Sequence, residues 1–139
     1  MSINSRLLVL LQQNSRATVT ELASQLGVSR ITVKEHMQRL EKEAIASYTV
    51  KLKDEITAQQ VRALVLIAVD QGMMKQLSSQ LRGIHSVVAL HSISGEYDYA
   101  ATLCADNTAL LDQDIDRISE TEGVLRTMTS VILSTKFSR

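Results

Sequence analysis

Hydrophobic residues recur with a helical period over the first part of the chain. Leucines and an isoleucine between positions 3 and 11 predict a first helix that ends near Asn14. Thr18 and Glu21 stand in the spacing of a capping box, so a second helix should begin there. Gly27 can adopt the left-handed backbone that ends a helix sharply. The pattern predicts two helices followed by a tight turn.

A third helix follows this turn. Ser29 is a good N-cap, and Val33, Met37 and Leu40 recur at i, i+4 and i+7 on one face of a helix that should end near Ala44. Two short helices joined by a glycine turn form a helix-turn-helix, whose second helix fits the major groove of DNA. An ordinary helical hairpin that contacts no ligand is the alternative.

The pattern then changes from helical to extended. Residues 45–53 alternate between polar and apolar side chains and predict a linking strand. Residues 54–61 are mostly polar and have no clear period, so we expect a linker there. The predicted organisation is an N-terminal DNA-binding domain with the linking strand (residues 1–53), the linker, and a C-terminal domain (residues 62–139).

The C-terminal pattern predicts four strands and two helices. Residues 62–70 are apolar at both odd and even positions, which favours a strand buried on both faces. A helical stripe of Met74, Leu77 and Leu81 ends at Gly83, and Asn107 can cap a second helix. The remaining strands are predicted at residues 84–94, 99–105 and 124–134. The order β-α-β-β-α-β predicts an α+β, ferredoxin-like domain.

Such a domain packs both helices on one face of its sheet. The other face is also apolar, because residues such as Val88, Leu90, Ala100, Met128 and Ile132 continue the pattern. A second copy of the chain is the simplest cover, so we expect a homo-oligomer that is at least a dimer.

Charge is distributed unevenly between the two domains. Residues 1–53 carry eight lysines and arginines against four glutamates, whereas residues 54–139 carry seven against eleven acidic residues. A basic N-terminal domain supports the interpretation that it binds double-stranded DNA.

Composition narrows the class of protein. With 45% hydrophobic and 22% charged residues, the 139-residue chain is typical of a globular protein. We expect no secretory signal and no membrane segment, since the longest apolar run is too short to span a bilayer. The lone Cys104 cannot form an internal disulfide and is compatible with the cytoplasm.

The sequence offers little for catalysis. His36, His85 and His91 lack metal-ligand spacing with carboxylates or with Cys104. No nucleophile elbow, P-loop or dinucleotide-binding fingerprint occurs. We therefore expect no enzyme activity, no metal and no cofactor.

Helical angle predicts which residues meet DNA. With Val33, Met37 and Leu40 facing inward, the opposite side of the third helix should face the groove. The residues expected at base edges are Arg30, Ile31, Thr32, Lys34, Glu35 and Gln38, and those expected at phosphates are Arg16, Ser29 and Arg39.

Several of these motifs occur together in one known family. They are Glu-Leu-Ala at 21–23, Leu-Gly-Val-Ser at 26–29, Arg-Leu-Glu at 39–41, Gly-Glu-Tyr-Asp at 95–98 and Glu-Gly-Val at 122–124. With the order of elements, they resemble the Lrp/AsnC (feast/famine) regulators over almost the whole chain. The resemblance implies an amino-acid-responsive transcription regulator that forms dimers and then tetramers or octamers. At His36 the family frequently has an arginine.

The resemblance also implies an effector pocket around the turn at residues 95–98. The turn consists of Gly95, Glu96, Tyr97 and Asp98. Backbone N–H groups at this glycine turn suit the carboxylate of an amino acid, and Asp98 or Glu96 suits its ammonium group. Two hydroxyls of the last strand could complete the polar shell, those of Thr127 and Thr129. A plain β-turn capped by Asp98 is the alternative.

The sequence thus favours a sequence-specific regulator whose DNA binding or oligomeric state responds to a small effector, and we expect this effector to be an amino acid. One alternative is a chromatin-like architectural protein with low sequence specificity. Another is an effector-binding domain that acts on a protein partner while its helix-turn-helix is vestigial. The third helix presents varied side chains and not only lysine and arginine, which favours the first hypothesis.

Overall fold

The structure, a computed structural model, describes residues 1–139. The chain divides into two compact units, Met1–Lys51 (the head) and Leu52–Arg139 (the tail). No helix in either unit has the length and apolar character needed to cross a membrane. The helices of the head are α1 (Ile3–Gln13), α2 (Val19–Leu26) and α3 (Arg30–Glu43).

Apolar side chains from all three helices form one core in the head. Leu7 of α1, Leu22 of α2 and Val33 of α3 are fully buried. The inward face predicted for α3 is confirmed, since Leu40 is also buried and Met37 packs against this core. Because all three helices contribute to this core, it fixes the orientation of α3 within the head.

The linking strand predicted at residues 45–53 does not form in the single chain. A strand requires a hydrogen-bonded neighbour, and the sheet of this protein contains only strands of the tail. Tyr48, Val50 and Leu52 are exposed. The alternation in the sequence therefore marks a segment without a ladder partner in its own chain.

The linker predicted at residues 54–61 contains a one-turn helix, α4 (Asp54–Thr57). Acidic Asp54 and Glu55 lie in its first turn, where they suit the positive end of the helix. The other helices of the tail are α5 (Met74–Arg82) and α6 (Thr108–Glu120), and its strands are β1 (Val61–Val69), β2 (Val87–Ser92), β3 (Tyr99–Ala105) and β4 (Val124–Ile132).

The four strands form one antiparallel sheet in the order β2-β3-β1-β4. The predicted α+β, ferredoxin-like class is confirmed. β2 begins three residues later than predicted, because the N–H of Val87 bonds to the carbonyl of Ile84 in a turn. β4 ends at Ile132, two residues earlier than predicted.

The two faces of the sheet differ. Ala63, Val65 and Ile67 of β1 are fully buried on the face that carries α5 and α6. On the other face, Leu64 is 43% exposed and Met128 is 48% exposed. The prediction that β1 is buried on both faces is therefore wrong for the single chain, because its outer face has no cover.

The outer face also differs in composition from the prediction. Leu90 pairs with buried Ala101 and packs against the core, so it lies on the helix-bearing face. A register shift between Val87 and Ala89 interrupts β2, and Val88 is exposed there. The bulge changes the alternation on which the prediction depended.

Candidate DNA-binding and effector sites

Local hydrogen bonds hold the helix-turn-helix. The Thr18 hydroxyl accepts from the N–H of Glu21 at 3.1 Å, and the Glu21 carboxylate accepts from the N–H of Thr18 at 2.8 Å. Gly27 ends α2 with φ of 69°, in the left-handed region. The predicted capping box and turn are both confirmed, and Ser29, two residues after Gly27, is the N-cap of α3.

Most residues predicted to meet base edges lie together on the outward side of α3. Arg30, Ile31, Lys34, Glu35 and Gln38 are all exposed. Their side chains include cationic, anionic, amide and aliphatic groups within two and a half turns of helix. This surface can offer donors, acceptors and an apolar contact to DNA at the same time.

Thr32 and Ser29 are used in the cap of α3. The Ser29 hydroxyl accepts from the N–H of Thr32 at 3.1 Å, and the two hydroxyl oxygens are 2.8 Å apart. Thr32 is half-buried, whereas Ser29 is exposed. Since its hydroxyl already has a partner, Thr32 is less available for a base than its exposed neighbours.

The two arginines predicted to contact phosphates are exposed. Arg16 follows α1, where its backbone N–H donates to the side chain of Asn14 at 3.1 Å, and Arg39 lies on α3. Neither guanidinium forms a salt bridge. Both cations are therefore free to meet an anion.

A hydrogen bond that the sequence analysis did not predict joins α1 to α3. Nδ1 of His36 lies 2.5 Å from Oδ1 of Asn4, and the pair is partly buried. At the position where the family often has arginine, this chain thus makes a contact within the head. The half-buried Asn4 on an otherwise apolar side of α1 was the available signal.

In the tail, Asp98 closes the turn onto the end of β1. Its Oδ2 accepts from the backbone N–H of Val69 at 2.8 Å, and its Oδ1 accepts from Nε2 of Gln71 at 3.1 Å. Its own N–H donates to the carbonyl of Ile67 at 2.9 Å. Gly95 has φ of 116°, which residues with a side chain rarely adopt. Asp98 therefore has a structural role in this turn.

Glu96 and Tyr97 of the turn both contact Arg126 of β4. The Arg126 guanidinium donates to Glu96 at 2.9 Å and lies 4.7 Å from the centre of the Tyr97 ring. The hydrogen bond to Glu96 raises the pKa of Arg126, so this group stays cationic. Arg126 was not among the predicted effector residues. Because it pairs with Ala68, it lies on the outer face of the sheet.

Thr127 and Thr129 lie on the opposite face of β4 from Arg126. Their partners in β1, Ile67 and Val65, point toward the helices. The Thr127 hydroxyl is 3.4 Å from that of Ser119 in α6. In the single chain, the two threonines therefore share a face, as predicted, but do not share it with the Glu96–Arg126 pair.

A groove in the tail lies apart from the predicted effector residues. A groove of about 420 Å³ lies along β2 and is lined by Ser78, Arg82 and Leu90, among others. None of the predicted effector residues lines it. No group of three or more His, Cys, Asp and Glu side chains is arranged to hold a metal ion.

Comparison with known families matches both units. The Lrp/AsnC ligand binding domain matches residues 62–139, and a winged helix-turn-helix DNA-binding domain matches residues 2–43.

Relatives and solved structures agree with these matches. An uncharacterized HTH-type transcriptional regulator of Pyrococcus abyssi is 31% identical over 138 residues, covering 96% of this chain and 92% of that protein. The leucine response regulatory protein of Mycobacterium tuberculosis is similar in structure with a TM-score of 0.81 at 27% identity, covering 99% of this chain and 95% of that chain.

A transcriptional regulator from Neisseria meningitidis, solved as a complex with L-Met, shares the fold. Its TM-score is 0.88 at 18% identity, and the match covers 99% of this chain and 92% of that chain. The chain therefore belongs to the Lrp/AsnC family of transcriptional regulators, with a helix-turn-helix DNA-binding domain and a ligand-binding domain.

Proposed function

We propose that this regulator binds specific DNA sites through α3 and that an amino acid bound to the tail alters its DNA binding or its assembly. The observation that carries the first part is the exposed side of α3, where Arg30, Lys34, Glu35 and Gln38 stand together. An architectural protein needs mainly cations at phosphates. A mixture of charged and amide groups instead suits the varied donors and acceptors of base edges.

The proposed contacts divide by chemistry. Gln38 suits a bidentate bond to adenine and Arg30 suits one to guanine. Arg16 and Arg39 would hold phosphates as unpaired cations, and the Ser29 hydroxyl would add a phosphate contact at the helix N-terminus. In this division the α3 side chains determine which sequence is bound, and the flanking arginines determine how tightly any DNA is bound.

For the effector, we propose a free amino acid at the turn of residues 95–98. The Glu96–Arg126 pair supplies both charges that a zwitterion requires: Arg126 for its carboxylate and Glu96 for its ammonium group. The pair is exposed, so a ligand can exchange for either partner. Thr127 and Thr129 face the other side of β4, and a neighbouring subunit would have to bring such hydroxyls to the turn.

For the assembly, we propose a dimer in which two outer sheet faces pack together, with further association to tetramers or octamers. Leu64 and Met128 on that face support this arrangement, since large exposed apolar residues favour an interface. Residues 45–53 would pair with the same segment of a second copy. Two heads would then reach successive major grooves of a pseudo-palindromic site. We place this function in the cytoplasm.

The DNA proposal is tested by selecting sites from a random duplex library with the intact protein. Gln38→Ala should then change the base preferred at one position per half-site, by about 1–3 kcal/mol. Arg16→Ala should weaken selected and scrambled DNA alike and reduce the salt slope by about one. If no sequence is enriched, or if Gln38→Ala and Arg30→Ala leave preference unchanged, α3 does not read bases.

The effector proposal is tested by a thermal-shift screen of the twenty amino acids, followed by calorimetric titration of any that stabilise the protein. Arg126→Gln and Glu96→Gln should each weaken binding, since each removes one charge partner of the zwitterion. These variants are preferable to Asp98→Ala, because Asp98 also holds the turn. Unchanged binding in both variants, or no binding to the wild type, would refute this site.

A further inference from the structure

One side chain on the DNA-facing side of α3 cannot form a hydrogen bond. Ile31 is 70% exposed, whereas the other aliphatic residues of α3, Val33 and Leu40, are buried in the head core. At roughly 100° per residue, Ile31 points almost directly away from that core. Its side chain therefore adds nothing to the packing that holds the head together.

The position of Ile31 is also unfavourable for an isolated helix. A β-branched residue is a weaker helix former than alanine because its χ1 rotation is restricted. Exposed apolar surface on the otherwise polar outward side of this helix gains nothing in water. Local folding thus does not explain an isoleucine here, and a binding partner can.

The neighbours of Ile31 indicate which chemical groups the partner contains. Arg30, Lys34 and Glu35 surround it with groups that form hydrogen bonds, and all three are exposed. The nearby Thr32 hydroxyl is bonded to Ser29. Ile31 is therefore the apolar contact available in the first turn of α3, the turn that approaches base edges in this motif.

The major groove contains one apolar feature, the C5-methyl group of thymine. We propose that Ile31 contacts a thymine methyl and so fixes thymine at one position of each half-site. This inference rests on the proposed sequence-specific function. The restricted χ1 of isoleucine becomes an advantage here, because the side chain loses little freedom when it packs against the methyl group.

The inference can be tested with a change of one methyl group in the DNA. Deoxyuridine keeps the hydrogen-bonding edge of thymine and lacks its methyl. Starting from the site selected by the wild-type protein, each thymine is replaced in turn by deoxyuridine and affinity is measured. Wild type should lose about fourfold at one position per half-site, the value of one buried methyl group.

Two protein variants, each measured on the thymine site and the deoxyuridine site, turn this test into a double-mutant cycle. Ile31→Ala should bind the thymine and deoxyuridine sites equally well, because the partner of the methyl is gone. Val9→Ala is the matched control: Val9 is also β-branched and partly exposed, at 41%, but lies on α1. It should keep the full fourfold difference. Unchanged melting temperatures confirm that both variants fold.

A second measurement isolates the same methyl in another base. Cytosine replaces the thymine at the position where deoxyuridine weakens wild-type binding. Methylation of that cytosine at C5 should raise wild-type affinity by a similar factor and leave the affinity of Ile31→Ala unchanged.

The inference is overturned if the wild type binds thymine and deoxyuridine equally at every position, or if Ile31→Ala keeps the difference. Either result leaves the proposed function intact, since a selected site exists and other residues read it. If no site is selected at all, the proposed function fails and the role of Ile31 fails with it.

Discussion

The head and the tail differ in how completely a single chain buries their apolar surfaces. The head buries its apolar helix faces in one core, and the residues proposed to bind DNA remain exposed on α3. The tail buries the helix-bearing face of its sheet and leaves Leu64 and Met128 exposed on the other face. The head is therefore explained by its own contacts, whereas the outer sheet face of the tail has no cover in the single chain.

The proposed sites of the two units also differ in how their residues are brought together. The residues proposed to meet base edges all lie on α3, so their relative placement needs no other element. The effector turn depends on residues that are far apart in sequence, because Glu96 meets Arg126 and Asp98 meets Val69. A substitution that distorts the tail sheet should therefore disturb the effector turn. A substitution in the head outside α3 should leave the relative positions of the α3 residues unchanged.

The largest effect is expected from a charge on the outer sheet face. Leu64→Glu should convert the proposed dimers to monomers, since burying an unpaired carboxylate in an interface costs about 3–5 kcal/mol. Leu110→Glu on α6 is the matched control: Leu110 is 45% exposed against 43% for Leu64. Light scattering at micromolar concentration measures the mass. Dimers that persist in Leu64→Glu would contradict the proposed interface.

A truncation in the head core should act on one unit only. Leu22 is fully buried, and Leu22→Ala should cost the head about 2–5 kcal/mol. DNA affinity should fall with the folded fraction of the head, while the assembled mass is retained by the tail. Denaturant unfolding with parallel light scattering measures both. Loss of assembly in this variant would show that the two units are not independent.

Removing the Asp98 carboxylate should destabilise the tail. Asp98→Ala leaves the partly buried N–H of Val69 without its partner, which costs about 1–3 kcal/mol. Asp98→Asn keeps one carbonyl acceptor and should lose less. Chemical denaturation measures the free energy of unfolding, and equal stability of wild type and Asp98→Ala would refute the structural role of this side chain.

Loss of the α2 cap should have a smaller effect. Thr18→Ala removes the acceptor for the N–H of Glu21 and should cost the head about 1 kcal/mol. Thr18→Ser retains the hydroxyl and serves as the control. A head whose unfolding is unchanged by Thr18→Ala would mean that the capping box is not formed in solution.

The smallest effect on folding is expected at the exposed ion pair. Glu96→Gln should leave the melting temperature unchanged, because exposed salt bridges contribute little to stability. The same variant should weaken amino acid binding. A clear drop in melting temperature would indicate that the pair serves the fold and not a ligand.

Features that depend on neighbouring residues in the chain could be predicted from the sequence. The capping box, the Gly27 turn and the Ser29 cap each involve residues within three or four positions, and the structure contains all three. The order of the four strands and of α5 and α6 along the chain was also predicted from the hydrophobic pattern. Helical angle placed Arg30, Ile31, Lys34, Glu35 and Gln38 on the exposed side of α3 for the same local reason.

Features that depend on strand register could not be predicted in this way. Arg126 reaches Glu96 across thirty residues, and the pairing of β1 with both β3 and β4 brings them together. The bulge in β2 moved Leu90 to the helix-bearing face. The alternation at residues 45–53 was real, but the ladder partner it needs is absent from the single chain.

We propose above that α3 recognises a DNA sequence and does not merely bind the charged backbone. The most direct test of this claim is the affinity of the intact protein for its selected site and for a scrambled duplex, measured across a salt series. We predict a specificity ratio of at least about 10³ that persists as salt rises. A ratio near one, with affinity for both duplexes falling steeply as salt rises, would contradict the claim and indicate an architectural DNA-binding protein.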